Sequence, residues 1–298
     1  MNVIDQRVTE LVDPRVEIEL LADGFVFAEG PVWSFRDSHL TFSDIPADTM
    51  YRWNERQGVR EYRKPSNFSN GLAYDKDGAL IACEHRTRRV TRETPDGLQT
   101  IADTHRGKRL NAPNDVVLAP DGSLVFTDPH YGLGKGFGGP AEQEQPVRGV
   151  YRIPASGGEP ELLVADFTGP NGLALSPDGG TLYVADTEEF HIRAFAVASS
   201  WALSGGDVLI DLPREGEGVP DGLKLDLAGN IYSTGAGGIW ICSPAGELLG
   251  QISVPEVAAN LAWGDEDAQT LYVTASTGLY RVRCKATGHV PHAPARRA

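Results

Sequence analysis

Cysteine is scarce in this chain. Cys83, Cys242 and Cys284 lie far apart and form no CxxC pair, which excludes a disulfide framework and a thiolate zinc module. Long apolar runs are also missing. None approaches the ~18 residues that a membrane-spanning helix needs, so no membrane partner is expected. Positive charge is in deficit, because 27 Lys and Arg against 41 Asp and Glu leave a net charge of −14. Nucleic-acid binding calls for a cationic surface, so a phosphate-backbone partner is excluded. The opening MNVIDQRVTELVDP has no basic stretch followed by an apolar one. No secretory leader is therefore expected, and the cytoplasm is the default compartment. Nothing in the sequence speaks to oligomeric state.

Turn formers, in contrast, are plentiful. Gly and Pro contribute 34 and 20 of the 298 residues, and 41% of the chain is hydrophobic, enough for a packed core and against global disorder. Six segments repeat one pattern: EGPVW from Glu29, NGLAY from Asn70, NDVVL from Asn114, NGLAL from Asn171, DGLKL from Asp221 and ANLAW from Ala259. Their starts are 38 to 57 residues apart. A polar turn such as APDG or SPDGG follows each, carrying the Asp-Gly chemistry of hairpins. Next come a second apolar strand (LTFSD, SLVFTD, TLYVAD), a third of the MYRW or GVYRI kind, and an outer fourth.

Four short strands repeated every 40–50 residues are the mark of a propeller blade. Two stacked sandwich domains would also give many strands, but not one register shared by six copies. The expected fold is a single all-β domain, a six-bladed β-propeller. The sixth repeat lacks an outer strand. Val16–Leu20 alternates apolar and polar residues, so a strand within residues 15–21 is expected to close the last blade from the N-terminus. Residues 285–298 are left as a tail.

In a propeller the first strand of every blade lines the central channel. The six leading residues, Glu29, Asn70, Asn114, Asn171, Asp221 and Ala259, therefore converge, and five of them carry side-chain oxygen. Asn at a strand start can simply cap a turn. Two carboxylates and three amides in one register point instead to a hard divalent cation, Ca²⁺, Mg²⁺ or Mn²⁺. About 14 residues further on, Asp44, Glu84, Asp128, Asp186 and Gly235 return to the same end. They would bind a second ion, touch substrate hydroxyls or bond backbone amides. Beside them lie His85, His130 and Tyr131. The long third spacing leaves an excursion over residues 132–149, either a substrate wall or lid, or a tolerated insertion.

The stretches FAEGPVW, LNAPNDVVLAPDGSLVFTDP, PNGLALSPDGGTLYVAD and VPDGLKLDLAGNIY resemble the motifs of the gluconolactonase/regucalcin (senescence marker protein) family, in its bacterial sugar-lactonase branch. The likeness spans roughly residues 25–284. It implies a six-bladed propeller with a divalent cation on its axis, held by Glu29, Asn114, Asn171 and Asp221, with Asp221 also the general acid/base. Calcium is the first choice of ion, with Mg, Mn, Zn or Fe as alternatives. Animal members of the family carry Arg at the position of Ala112, so their sugar contact does not transfer, and Arg109 is the candidate to replace it. The candidate substrate contacts are Asn70, His85, Arg109, Asp128, His130 and Tyr131.

The chemistry expected is metal-dependent hydrolysis of a sugar lactone, such as glucono-1,5-lactone or a pentonolactone, to its acid. A GxSxG nucleophile elbow is absent, and an activated water makes one unnecessary. A phosphotriesterase of the diisopropylfluorophosphatase type and a non-catalytic calcium-binding propeller are the alternatives.

Overall fold

A computed structural model describes residues 1–291. Each repeat forms one antiparallel sheet. The first blade contains Ala28–Ser34, His39–Asp44, Thr49–Asn54 and Gly58–Arg63. The next three repeat the meander, with innermost strands Ser69–Tyr74, Val116–Leu118 and Pro170–Leu175. The innermost strands of the last two are Leu223–Leu225 and Ala258–Gly264. Each innermost strand touches that of the next blade, and Ala258–Gly264 touches Ala28–Ser34. The ring is thus closed with six blades.

Burial explains why the inner strands lack a two-residue alternation. Each sheet packs on both faces, so Ala28–Ser34 and Ala258–Gly264 are buried at every residue. A strand covered on both sides reads as apolar or small throughout. The core is accordingly divided into six clusters, one at each boundary between neighbouring blades. Where the last blade meets the first, Trp33 stacks on Tyr272 with ring centroids 5.2 Å apart.

An N-terminal strand completes the last blade, as expected, but it runs from Glu19 to Asp23 and pairs with Gly278–Arg283. The shift from residues 15–21 has a local cause: Asp13 O accepts the Val16 amide at 2.9 Å, so residues 13–16 are used in a turn. The preceding segment has a role that the sequence pattern did not show. Asn2–Val3 adds a fifth strand to blade five, pairing with Gly250–Gln251, and Val8 and Val12 are fully buried between blades five and six. The C-terminal segment also docks. Leu11 O accepts the Lys285 and Ala286 amides, and the His289 amide donates to Leu225 O at 2.9 Å. The remainder of the tail, residues 292–298, lies outside the described residues. Among the described residues no helix is long and apolar enough to cross a membrane.

Because residues 1–23 cover two blade edges and a core boundary, their deletion is expected to lower the melting temperature by roughly 10 °C or more. Thermal unfolding followed by circular dichroism checks this, and an unchanged midpoint would contradict the closure.

Candidate active site at the channel mouth

The blade-leading residues meet as anticipated in position, because the backbones of neighbouring blades bond one another at the axis. Gly71 N donates to Asn114 O at 2.8 Å, Gly172 N to Asp221 O at 2.9 Å, and Gly222 N to Ala259 O at 2.8 Å. Second-strand hydroxyls add hooks: Ser43 Oγ donates to Asn70 O at 2.9 Å and Thr127 Oγ1 to Asn171 O at 2.8 Å. The residue after the leading one must be small for this approach. A Cβ on Gly172 would lie 2.1 Å from Asp221 O, and one on Gly30 2.0 Å from Asn70 O. Four of the six second positions are glycine; the exceptions, Asp115 and Asn260, come from opposite blades and fill the axis.

Above this ring opens a cavity of about 640 Å³. Its floor is Glu29, Asn70, Asn114, Asn171 and Asp221, and its walls include His85, His130, Tyr131, Thr187 and Arg148. The 132–149 excursion forms one wall through Leu133, Phe137, Ala141 and Gln143, and Phe27 and Ile45 complete an apolar side.

Glu29 is buried, with Oε2 accepting Gly30 N at 2.5 Å and Asn260 Nδ2 at 3.1 Å. Loss of water and the Asp115 charge push its carboxyl above the usual range, against the lowering effect of those two donors. Asp221 is pushed well above the carboxylate range by loss of water and by the facing Glu29 and Asp115. The two floor carboxyl groups thus resist ionisation until a positive charge is supplied beside them. Asn171 Nδ2 donates to Thr187 Oγ1 at 3.0 Å and also bonds Asp221, and among the described residues Oδ1 is buried with no donor. Asn70 Oδ1 is likewise buried and without a donor. Among the described residues no three His, Cys, Asp or Glu side chains form a metal cluster, because the floor supplies two carboxylates and three carboxamides.

His85 is fixed by its two neighbours. Phe137 O lies 2.8 Å from Nδ1 and can only accept, so Nδ1 carries the proton and Nε2 accepts from Asn70 Nδ2 at 3.4 Å. Burial lowers the His85 pKa to about 4. His130 Nδ1 is buried without a partner, and loss of water together with the Arg148 charge lowers its pKa.

Two candidates for substrate contact are displaced. Arg109 lies on the exposed hairpin Thr104–His105/Lys108–Arg109, where Nη2 donates to Thr87 O at 2.7 Å; it does not line the cavity. Asp128 is fully buried behind the wall, accepting Asn111 N at 2.7 Å and the Ala112 amide. Its equivalents act alike. Asp44 accepts Val26 N and Phe27 N, and Asp186 accepts Thr168 N and Gly169 N. These carboxylates clamp the segment that leads into their own blade. Glu84 instead takes Thr87 Oγ1 and Arg89 Nε, and Gly235 brings no side chain. Sequence reasoning missed Arg148, Thr187 and Asn260. Only Asn260 carried a signal, one residue beyond the position taken as the sixth equivalent.

An all-β ring with a polar floor on its axis defines a class of cavity-bearing six-bladed propellers. Within it, the chain belongs to the SMP-30/Gluconolactonase/LRE-like family, whose region matches residues 27–277. It is 33% identical to a gluconolactonase of Zymomonas mobilis, over 95% of this chain and 85% of that protein. A pentonolactonase of Haloferax volcanii is 27% identical over 84% of this chain and 81% of its own. The solved structure of a gluconolactonase from Xanthomonas campestris superposes with a TM-score of 0.89 at 33% identity, covering 95% of this chain and 94% of that one.

With a His85 pKa of about 4, below the ordinary 6.5, the unfolded chain binds a proton that the folded chain refuses between those values. Stability from this residue is therefore lost as pH falls through that window. The decline in melting temperature from pH 6.5 to 4 is expected to be shallower in His85→Gln; parallel profiles would contradict it.

Proposed function

We propose that this protein is a metal-dependent sugar lactonase that hydrolyses an aldonolactone, such as glucono-1,5-lactone or a pentonolactone, to the sugar acid. The observation that carries the reading is the cavity floor, where Glu29 and Asp221 face the donor-less Oδ1 of Asn171. A buried oxygen without a donor is costly, and so are two carboxylates facing each other; one divalent cation relieves both. The gluconolactonase and pentonolactonase relatives support the substrate class.

Glu29, Asn114, Asn171 and Asp221 would hold the ion. Their all-oxygen set suits calcium first, with magnesium, manganese, zinc or iron as alternatives. When bound, the ion supplies Lewis-acid polarisation of the lactone carbonyl. The remaining work falls to the chain. The Asp221 carboxylate accepts a proton from the attacking water as the water oxygen bonds to the carbonyl carbon. It returns that proton to the ring oxygen as the carbon–oxygen bond breaks, and the acid product leaves. Asn70, His130, Tyr131 and Arg148 face the sugar hydroxyls. Phe27, Ile45 and Phe137 keep bulk water off the other side. Three unpaired buried cysteines fit a reducing compartment, and we place the protein in the cytoplasm.

Asp221→Asn is expected to lower kcat on the best lactone by about 10²-fold or more with the melting temperature nearly unchanged, and chelation to abolish turnover reversibly. A pH-stat panel of lactones and organophosphates, with and without a metal series, checks all of this. An unimpaired Asp221→Asn enzyme would remove Asp221 from the mechanism, and preference for organophosphates would replace the substrate class.

A further inference from the structure

Beneath the cavity floor one cation among the described residues, Lys224, enters the channel. Lys224 follows Asp221 by three residues on the innermost strand of blade five, and its ammonium points into the channel. Nζ donates to Leu223 O at 3.0 Å and to Asn260 Oδ1 at 3.3 Å, and it lies 3.8 Å from Asp115 Oδ2. Two neutral oxygens and a carboxylate around a positive centre are the kind of hard-oxygen shell that a metal ion takes. The lower side is closed by the C-terminal segment, where His289, Val290 and Pro291 bound a small space of about 60 Å³ with Lys224.

The contacts also fix their neighbours. Asn260 Oδ1 accepts from Lys224 and from Leu261 N at 2.9 Å, which turns Nδ2 toward Glu29 Oε2 at 3.1 Å and Asp115 Oδ2 at 3.5 Å. Asp115 Oδ1 takes Val116 N at 2.8 Å, so Lys224 is the cation that balances this buried carboxylate. The charge count is simple. When all three are ionised, Glu29, Asp115 and Asp221 would carry three negative charges; Lys224 returns one, and a single divalent ion would match the remainder.

We propose that Lys224 is the resident cation of the inner channel, holding the place and charge of a second metal ion, so that the channel accepts one divalent ion and not two. This rests on the reading of Glu29, Asn114, Asn171 and Asp221 as a metal site. Through Asn260, Lys224 is also a positioning residue for Glu29.

The test is metal stoichiometry of the full chain. Protein stripped of metal is titrated with CaCl₂ by isothermal calorimetry and its calcium content measured after gel filtration. Wild type is expected to bind one ion per chain, Lys224→Met two, and Lys224→Met/Asp115→Asn one again. Two ions in the wild type, or one in a folded Lys224→Met, would overturn the proposal. No ion in the wild type would instead overturn the metal site on which it rests, and the proposal with it. Should Lys224→Met not fold, the double variant decides. Recovery of a melting temperature within a few degrees of wild type shows that the two charges need only each other, whereas a double variant that also fails to fold contradicts the pairing.

Discussion

The constraint on which the molecule depends is the closeness of the six innermost strands. At the axis the chain of one blade bonds directly to the chain of the next, as Gly71 does to Asn114 and Gly172 to Asp221. At four of the six equivalent positions a Cβ would collide with the neighbouring blade, and glycine alone permits the distance there. The same glycines that tighten the ring thus carry the leading side chains to a common point. Fold and site are set by one device, and a substitution that loosened the ring would move the cavity floor with it.

Negative charge gathered in this way has to be balanced, and the structure divides that work. Asp44, Asp128 and Asp186 spend their carboxylates on backbone amides behind the wall. Asp115 faces the Lys224 ammonium. Among the described residues no cationic side chain is in contact with Glu29 or Asp221, and their carboxyl groups, beside the donor-less oxygens of Asn70 and Asn171, are the basis of the proposed cation site. The apolar half of the cavity comes from elsewhere, mainly the third-blade excursion. One region therefore sets the charge and another the shape.

The repeat made most of this legible in the sequence. Residues at equal positions in six similar segments must lie at equal positions in the ring, so Glu29, Asn70, Asn114, Asn171 and Asp221 could be brought together without coordinates. What the repeat could not convey is where a side chain goes when several partners are in reach. Asp128 shares its register with residues at the mouth, yet the two amides of Asn111 and Ala112 draw it behind the wall. Arg109 is near in sequence to Ala112, but a short hairpin carries it to the surface. Asn260 and Lys224 belong to positions where the other blades have different residues, so periodicity was silent about them. The closing strand was found in kind and misplaced by a few residues, because a turn at Asp13–Val16 competes for the same segment.

The central claim is that four side chains distant along the polypeptide grip one doubly charged ion on the axis. Anomalous scattering from crystals equilibrated with Mn²⁺ addresses it without recourse to activity. The account predicts a single peak on the axis within about 2.5 Å of oxygens from Glu29, Asn114, Asn171 and Asp221. Maps with no peak there, or with the ion seated among other residues, would contradict it.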